Sequence, residues 1–219
     1  MYNTMKIKLN KIIKYLIYSD LVFYTGWGLI SPIFAIFIID NIIGGSALVV
    51  GIAAAVNLII RSLLRVPFGI CADKSQRKAY YFMFFGLLIA TLIPLGYIIS
   101  RNPWHVYILQ GVLGAALAMS TAGWTGIFAK YMDKGKESSE WGIDAVAVGV
   151  GPGIAGALGG LAVTYFSFNL VFVAVAVIGL IGTAVLLIVK KDVLKEKDGG
   201  TGRLFVHHEL RRMKKAGIR

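Results

Sequence analysis

The sequence predicts an all-α integral membrane protein, and three observations carry that reading. The 219 residues are 57% hydrophobic and only 16% charged, with a mean hydropathy of +0.73, whereas a soluble domain is about half apolar and about a quarter charged. Six apolar stretches each approach the ~20 residues that a helix needs to cross ~30 Å of hydrocarbon. The 23 Lys and Arg residues outnumber 11 Asp and Glu, giving a net charge of +12, and they gather in a few polar breaks. A soluble globule is excluded, and the length holds no more than roughly six or seven spans. The runs are continuously apolar rather than alternating, which argues against a spanning β-barrel.

Residues 1–18 form a basic segment with Lys6, Lys8, Lys11 and Lys14 among Ile and Leu. The apolar run that follows is too long for a signal peptide and has no A-x-A site, so it reads as an uncleaved anchor. That first span, residues 21–39, mixes Tyr24, Thr25, Trp27 and Ser31 with the helix-weakening Gly26, Gly28 and Pro32. The second span, residues 47–70, carries Asn57, Arg61 and Arg65 at intervals of four, hence on one face. Polar groups at this depth are costly, so the face looks into protein or water. Arg65 lies near the cytoplasmic end and can snorkel. Arg61 is deeper and reads as an anion contact or as a partner of Asp20 or Asp144.

The third span covers residues 79–99. The fourth, residues 104–129, holds Gln110, Met119, Ser120, Thr121, Trp124 and Thr125. With Tyr24, Trp27 and Ser31 these aromatics and hydroxyls suit an amphipathic organic solute rather than a bare ion; interhelical packing is the competing reading for each of them. Small residues recur every four positions at Gly114, Ala118, Ala122 and Gly126 in the fourth span. In the fifth, residues 141–165, Gly149 pairs with Gly153 and Gly156 with Gly160, spacings that let helix backbones approach closely. Pro152 removes a backbone hydrogen bond beside Gly151 and predicts a bend or hinge. The sixth span is residues 170–189.

Charge sets the orientation. Of the 23 cations, 20 fall in the N-terminal segment, the 73–78 and 130–140 loops and the tail from Lys190, while the intervening breaks hold only Arg101. The positive-inside rule then places both termini in the cytoplasm, in the cytoplasmic (inner) membrane, with an even number of crossings. Residues 19–191 make the transmembrane domain and 192–219 a basic tail, which is either solvated or rests on anionic lipid. The tail carries no nucleic-acid-binding motif. Adjacent His207 and His208 cannot share a helix face, so they make a poor metal site. The lone Cys71 forms no intrachain disulfide. No intramembrane cluster of His, Asp and Glu, Ser–His pair or metal-ligand spacing points to an enzyme, a metal or a cofactor.

The loops are diagnostic. Gly69-Ile-Cys-Ala-Asp73-Lys74-Ser75-Gln76-Arg77-Lys78 resembles G-x-x-x-D-[RK]-x-G-[RK]-[RK], the loop between the second and third helices of major facilitator superfamily transporters, with Gln76 in place of glycine. Asp73 also suits the amino end and dipole of the third helix. Gln110-Gly111-Val112-Leu113-Gly114-Ala115-Ala116 is similar to the fourth-helix motif R-x-x-Q-G-x-G-A-A, with Tyr107 at the arginine position. Gly149-Val-Gly-Pro152-Gly-Ile-Ala-Gly156 followed by Gly159-Gly160 resembles the antiporter signature G-x-x-x-G-P-x-x-G-G, with altered spacing.

The resemblance covers about residues 19–191, the amino-terminal six-helix half of that family. It implies two inverted three-helix repeats, with the first and fourth helices lining a substrate path and the second and fifth meeting the other half. Tyr24, Trp27, Ser31, Asn57, Arg61, Gln110, Ser120 and Trp124 are the expected path. Gly69, Asp73, Lys74, Arg77 and Lys78 form the expected conformational loop. Asp144, Gly149, Gly151, Pro152, Gly153, Gly156 and Gly160 are the expected hinge and packing set. Two copies related by an axis along the membrane normal would make a homodimeric half-transporter, with Asp144 pairing across the seam to Arg77 or Lys78. The alternatives are a subunit matched to a separately encoded half and a truncated, non-transporting scaffold. The expected partners are membrane lipid, a small solute and a second copy or half. Drug-like efflux is the direction the family resemblance suggests, by analogy of fold.

Overall fold

A computed structural model describes residues 9–195. The basic residues Lys6 and Lys8, the Gly-rich stretch at 199–202, His207, His208 and the rest of the tail lie outside the described residues. Seven helices follow in order: α1 (Lys11–Ile30), α2 (Phe34–Asn41), α3 (Ala47–Asp73), α4 (Gln76–Ile98), α5 (Pro103–Tyr131), α6 (Glu137–Tyr165) and α7 (Phe168–Lys195). From α3 to α7, five are long and apolar enough to cross a membrane, and α1 with α2 makes a sixth span if the pair, bent by 40°, counts as one.

That bend corrects the continuous first span. The chain leaves the helix at residues 31–33, where Pro32 offers no backbone N–H to the turn. Helix starts are fixed by side chains: Asn10, Ser46 and Asn102 each accept a hydrogen bond from the backbone N–H three residues on. Asp73 does not sit in the first turn of α4. It is the last residue of α3, and Ser75 takes the N-cap position. Helix α6 runs unbroken through Pro152.

α5 packs extensively on α3 and α4, α1 on α6 and α7, and α4 on α7. Lipid supplies no hydrophobic drive for such pairings, so hydrogen bonds and close approach carry them. Ser19 Oγ donates to the Gly182 carbonyl (2.8 Å), Tyr80 Oη to Leu186 O (3.0 Å), Ser120 Oγ to Met83 O (3.2 Å) and Asn57 Nδ2 to Gln110 O (3.1 Å). At one end Lys11 pairs with Asp192 at 2.8 Å, and Asn10 Nδ2 donates to Tyr131 O, so both termini of the bundle and the 131–137 loop lie together. At the other end Ile43 N donates to Arg101 O (2.9 Å), and Phe34, Phe37, Tyr97, Phe168 and Phe172 form one aromatic cluster.

The glycine stripes divide by what they touch. A Cβ on Gly28 would lie 2.6 Å from the Pro152 Cα and carbonyl oxygen, so α1 and α6 meet backbone to backbone there. Gly151 and Gly159 also face α1, and Gly156 packs on it loosely. Gly149, Gly153 and Gly160 face open space, so the pair Gly149–Gly153 lies on an outer face and the pair Gly156–Gly160 is split between the two. Only 11% of the most apolar window of α3 and 17% of that of α6 is buried, against 44–50% for α4, α5 and α7.

Candidate functional site

Two cavities lie along the middle of the bundle, floored by α1 and α5 and flanked by α3 and α6. Helical spacing puts the lining there: Asp20, Tyr24, Trp27 and Ser31 follow at intervals of three or four on α1, as do Leu113, Leu117, Thr121 and Trp124 on α5. The upper cavity, about 360 Å³, takes Tyr24, Trp27 and Ser31 from α1, Asn57 from α3, Gln110 from α5 and Pro152 from α6. The lower cavity, about 220 Å³, takes Asp20 and Tyr24, Arg65, Ser120 and Trp124, and Asp144. Tyr24, Leu117 and Val148 border both, so the two cavities adjoin as an upper and a lower chamber.

Seven of the eight expected path residues therefore converge. The eighth, Arg61, lines neither chamber; its guanidinium faces the Tyr24 hydroxyl between them and forms no ion pair with Asp20 or Asp144. Arg65, expected to snorkel, is exposed and also lines the lower chamber. Ser120 has a second task, since its hydroxyl is committed to Met83 O across the α4–α5 seam. Asn57 likewise spends one amide hydrogen on the Gln110 carbonyl.

Two donors are unspent: the indole Nε1 atoms of Trp27 and Trp124 are buried without a hydrogen-bond partner. A buried donor left unmade costs about 1–3 kcal/mol, and here the two indoles belong to residues that line the upper and the lower chamber. Trp124 stacks on Phe128 with ring centroids 4.4 Å apart, and Trp141 packs tilted on Phe128 at 4.7 Å, tying α5 to the first turns of α6.

Of the loop residues, Gly69 and Asp73 lie in the last turns of α3, Lys74 in the link and Arg77 and Lys78 in the first turn of α4, and none lines either chamber. Arg77 lies over the Tyr81 ring at 5.8 Å. The expected pairing of Asp144 with a partner's Arg77 or Lys78 meets an obstacle: Asp144 is 8% exposed and faces a cavity of its own chain. Residue-by-residue reading also missed Trp141, Val148 and Phe34 as lining. The spacing Trp141, Asp144, Val148, Pro152 marks one face of α6, a signal that was available.

The Major Facilitator Superfamily model matches residues 17–216. The chain belongs to this superfamily. No curated protein sequence matches the chain significantly. Among solved structures, the POT family transporter PepTSo superposes with a TM-score of 0.66 at 13% identity over 84% of this chain, and a sulfate-bound mutant of a peptide transporter POT does so with 0.66 at 14% identity over 94%. The chain spans 38% and 43% of those two chains. Superfamily membership and the apolar helices make it an integral membrane protein of transporter fold, not an enzyme.

Proposed function

We propose that the chain is one six-helix unit of a transporter that moves a small organic solute by alternating access, and that a second copy supplies the opposite unit. The carrying observation is a pair of adjoining, aromatic and hydroxyl-lined chambers whose flanking helices α3 and α6 are the least covered of the five long spans. Gly149, Gly153 and Gly160 leave open ground on α6 for a second backbone to approach. One unit supplies half the walls of such a path, and two copies related by an axis along the membrane normal enclose it.

An inverted repeat fits the packing. Exchanging α1–α2, α3 and α4 for α5, α6 and α7 turns the pair α3 with α5 into α6 with α1, turns α4 with α5 into α7 with α1, and returns α4 with α7 to itself. The bundle end that carries Lys11, Lys130 and Lys195 is the one the positive-inside rule assigns to the cytoplasm of the inner membrane. In this reading Gly69, Asp73, Lys74, Arg77 and Lys78 brace the opposite unit as the two rock, and α6 slides on α1 at Gly28 and Pro152.

The test is mass measurement in lipid nanodiscs together with flux of labelled amines, sugars and short peptides in proteoliposomes. Two copies per disc and flux of at least one solute, lost in Trp27→Ala, are expected. Strictly single copies with no flux overturn the reading. A second unit on a separate polypeptide is the other reading; flux that needs co-expression of that unit would establish it.

A further inference from the structure

The lower chamber holds acid that packing does not explain. Asp20 of α1 and Asp144 of α6 are both at least nine-tenths buried, and both line it. They are within electrostatic reach of one another. Neither forms an ion pair among the described residues, and Asp144 Oδ1 has no hydrogen-bond partner at all. Burying two unpaired carboxylates side by side is among the costliest arrangements a fold can hold, because each loses hydration and they repel.

The surrounding elements do not cancel that charge. From α3, Arg65 lines the chamber without pairing to either acid, and Arg61 is turned to the Tyr24 hydroxyl. From α4 and α5 the lining is Leu87, Leu117, three hydroxyls and Trp124, with no charge. Trp141 brings an aromatic ring 5.6 Å from that of Trp124, and the Trp124 Nε1–H is a spare donor. A chamber of about 220 Å³ with two carboxylates and two indoles is too large and too poor in oxygen for a bare metal ion. Aromatic faces, in contrast, attract an ammonium.

We propose that the lower chamber binds an organic ammonium that also carries an oxygen acceptor, with the ammonium between Asp20 and Asp144 against the Trp141 ring and the acceptor on the Trp124 Nε1–H. This names the solute class and so rests on the reading of the cavity as a solute path. The site lies within a single chain, so binding is measurable whether or not a second unit is present.

The probes are choline, its uncharged isostere dimethylbutanol, and tetramethylammonium, which lacks the acceptor. Binding is read by tryptophan fluorescence and equilibrium dialysis on protein in nanodiscs of phosphatidylethanolamine and phosphatidylglycerol, with empty discs subtracted. Saturable choline binding that dimethylbutanol does not displace is expected. Asp20→Asn and Asp144→Asn should each weaken it by about tenfold or more, as loss of one partner of a buried charge contact does, and Asp144→Glu should restore most of it. Trp124→Phe should weaken choline and leave tetramethylammonium unchanged. Absence of saturable choline binding by monodisperse protein, displacement by the isostere, or undiminished binding in both Asn variants overturns the proposal. Were the Asn variants to misfold, the Glu and Phe variants decide alone. Choline binding without flux of any solute overturns the transport reading and leaves this site standing; flux of an uncharged solute without choline binding overturns this site only.

Discussion

Gly28 and Gly149 are the same residue type on neighbouring helices, and their surroundings give them opposite roles. A methyl at Gly28 meets the Pro152 backbone at 2.6 Å, whereas one at Gly149 meets nothing within 4 Å. Gly28→Ala must therefore push α1 from α6 and is expected to destabilise by about 1–3 kcal/mol, while Gly149→Ala leaves the melting temperature of the isolated unit unchanged. Thermal unfolding in detergent separates the two. Trp27 gives a second contrast. Its Nε1–H has no partner to lose, so Trp27→Phe should cost only the packing of the lost ring, about 1 kcal/mol, while reducing solute flux. A fall in stability of more than that, with flux intact, would show the indole to be a packing group.

At the scale of the element, α1 is held at both ends by different physics. At its start, the hydrogen bond from Lys11 holds the Asp192 carboxyl below the ordinary carboxylate range and clasps α1 to α7. A carboxyl depressed in the fold stabilises above the pH at which the free group titrates, about 4, and that support vanishes as pH falls through its lower folded value. Acidification should thus speed hydrogen exchange of the first α1 amides, and Asp192→Asn should show the faster exchange already at neutral pH. Both charges are exposed, so raised salt should mimic the mutation. At its other end α1 stops because Pro32 cannot continue it. Composition located the weak point, since Gly26, Gly28 and Pro32 are plain in the sequence, but only packing of α2 into the Phe37–Tyr97–Phe172 cluster fixed the 40° bend.

Across the whole molecule, the uneven cover of the helices is the feature with the largest consequence. Helices α3 and α6 keep most of their apolar surface outside the bundle, and the open glycines of α6 lie on that surface. Gly149→Leu with Gly153→Leu is expected to leave helix content and monomer unfolding as they are and to halve the mass of the nanodisc-embedded assembly. Retention of two copies would place the interface elsewhere.

Hydropathy, charge distribution and loop motifs determined the class of the protein and the rough places of its apolar stretches, and they named most of the residues that line the two chambers. Those properties depend on short windows: a run of ~20 apolar residues needs no partner to be costly in water, and a face at intervals of four is fixed by helix geometry alone. Tertiary structure decided which faces meet. It brought Asp20 and Asp144 into one chamber across 124 positions of chain, turned Arg61 to Tyr24, and sorted the glycines of α6 into those that touch α1 and those left bare. Spacing within a helix says that residues share a face; only close packing between helices, where each backbone approach excludes the others, says what that face confronts.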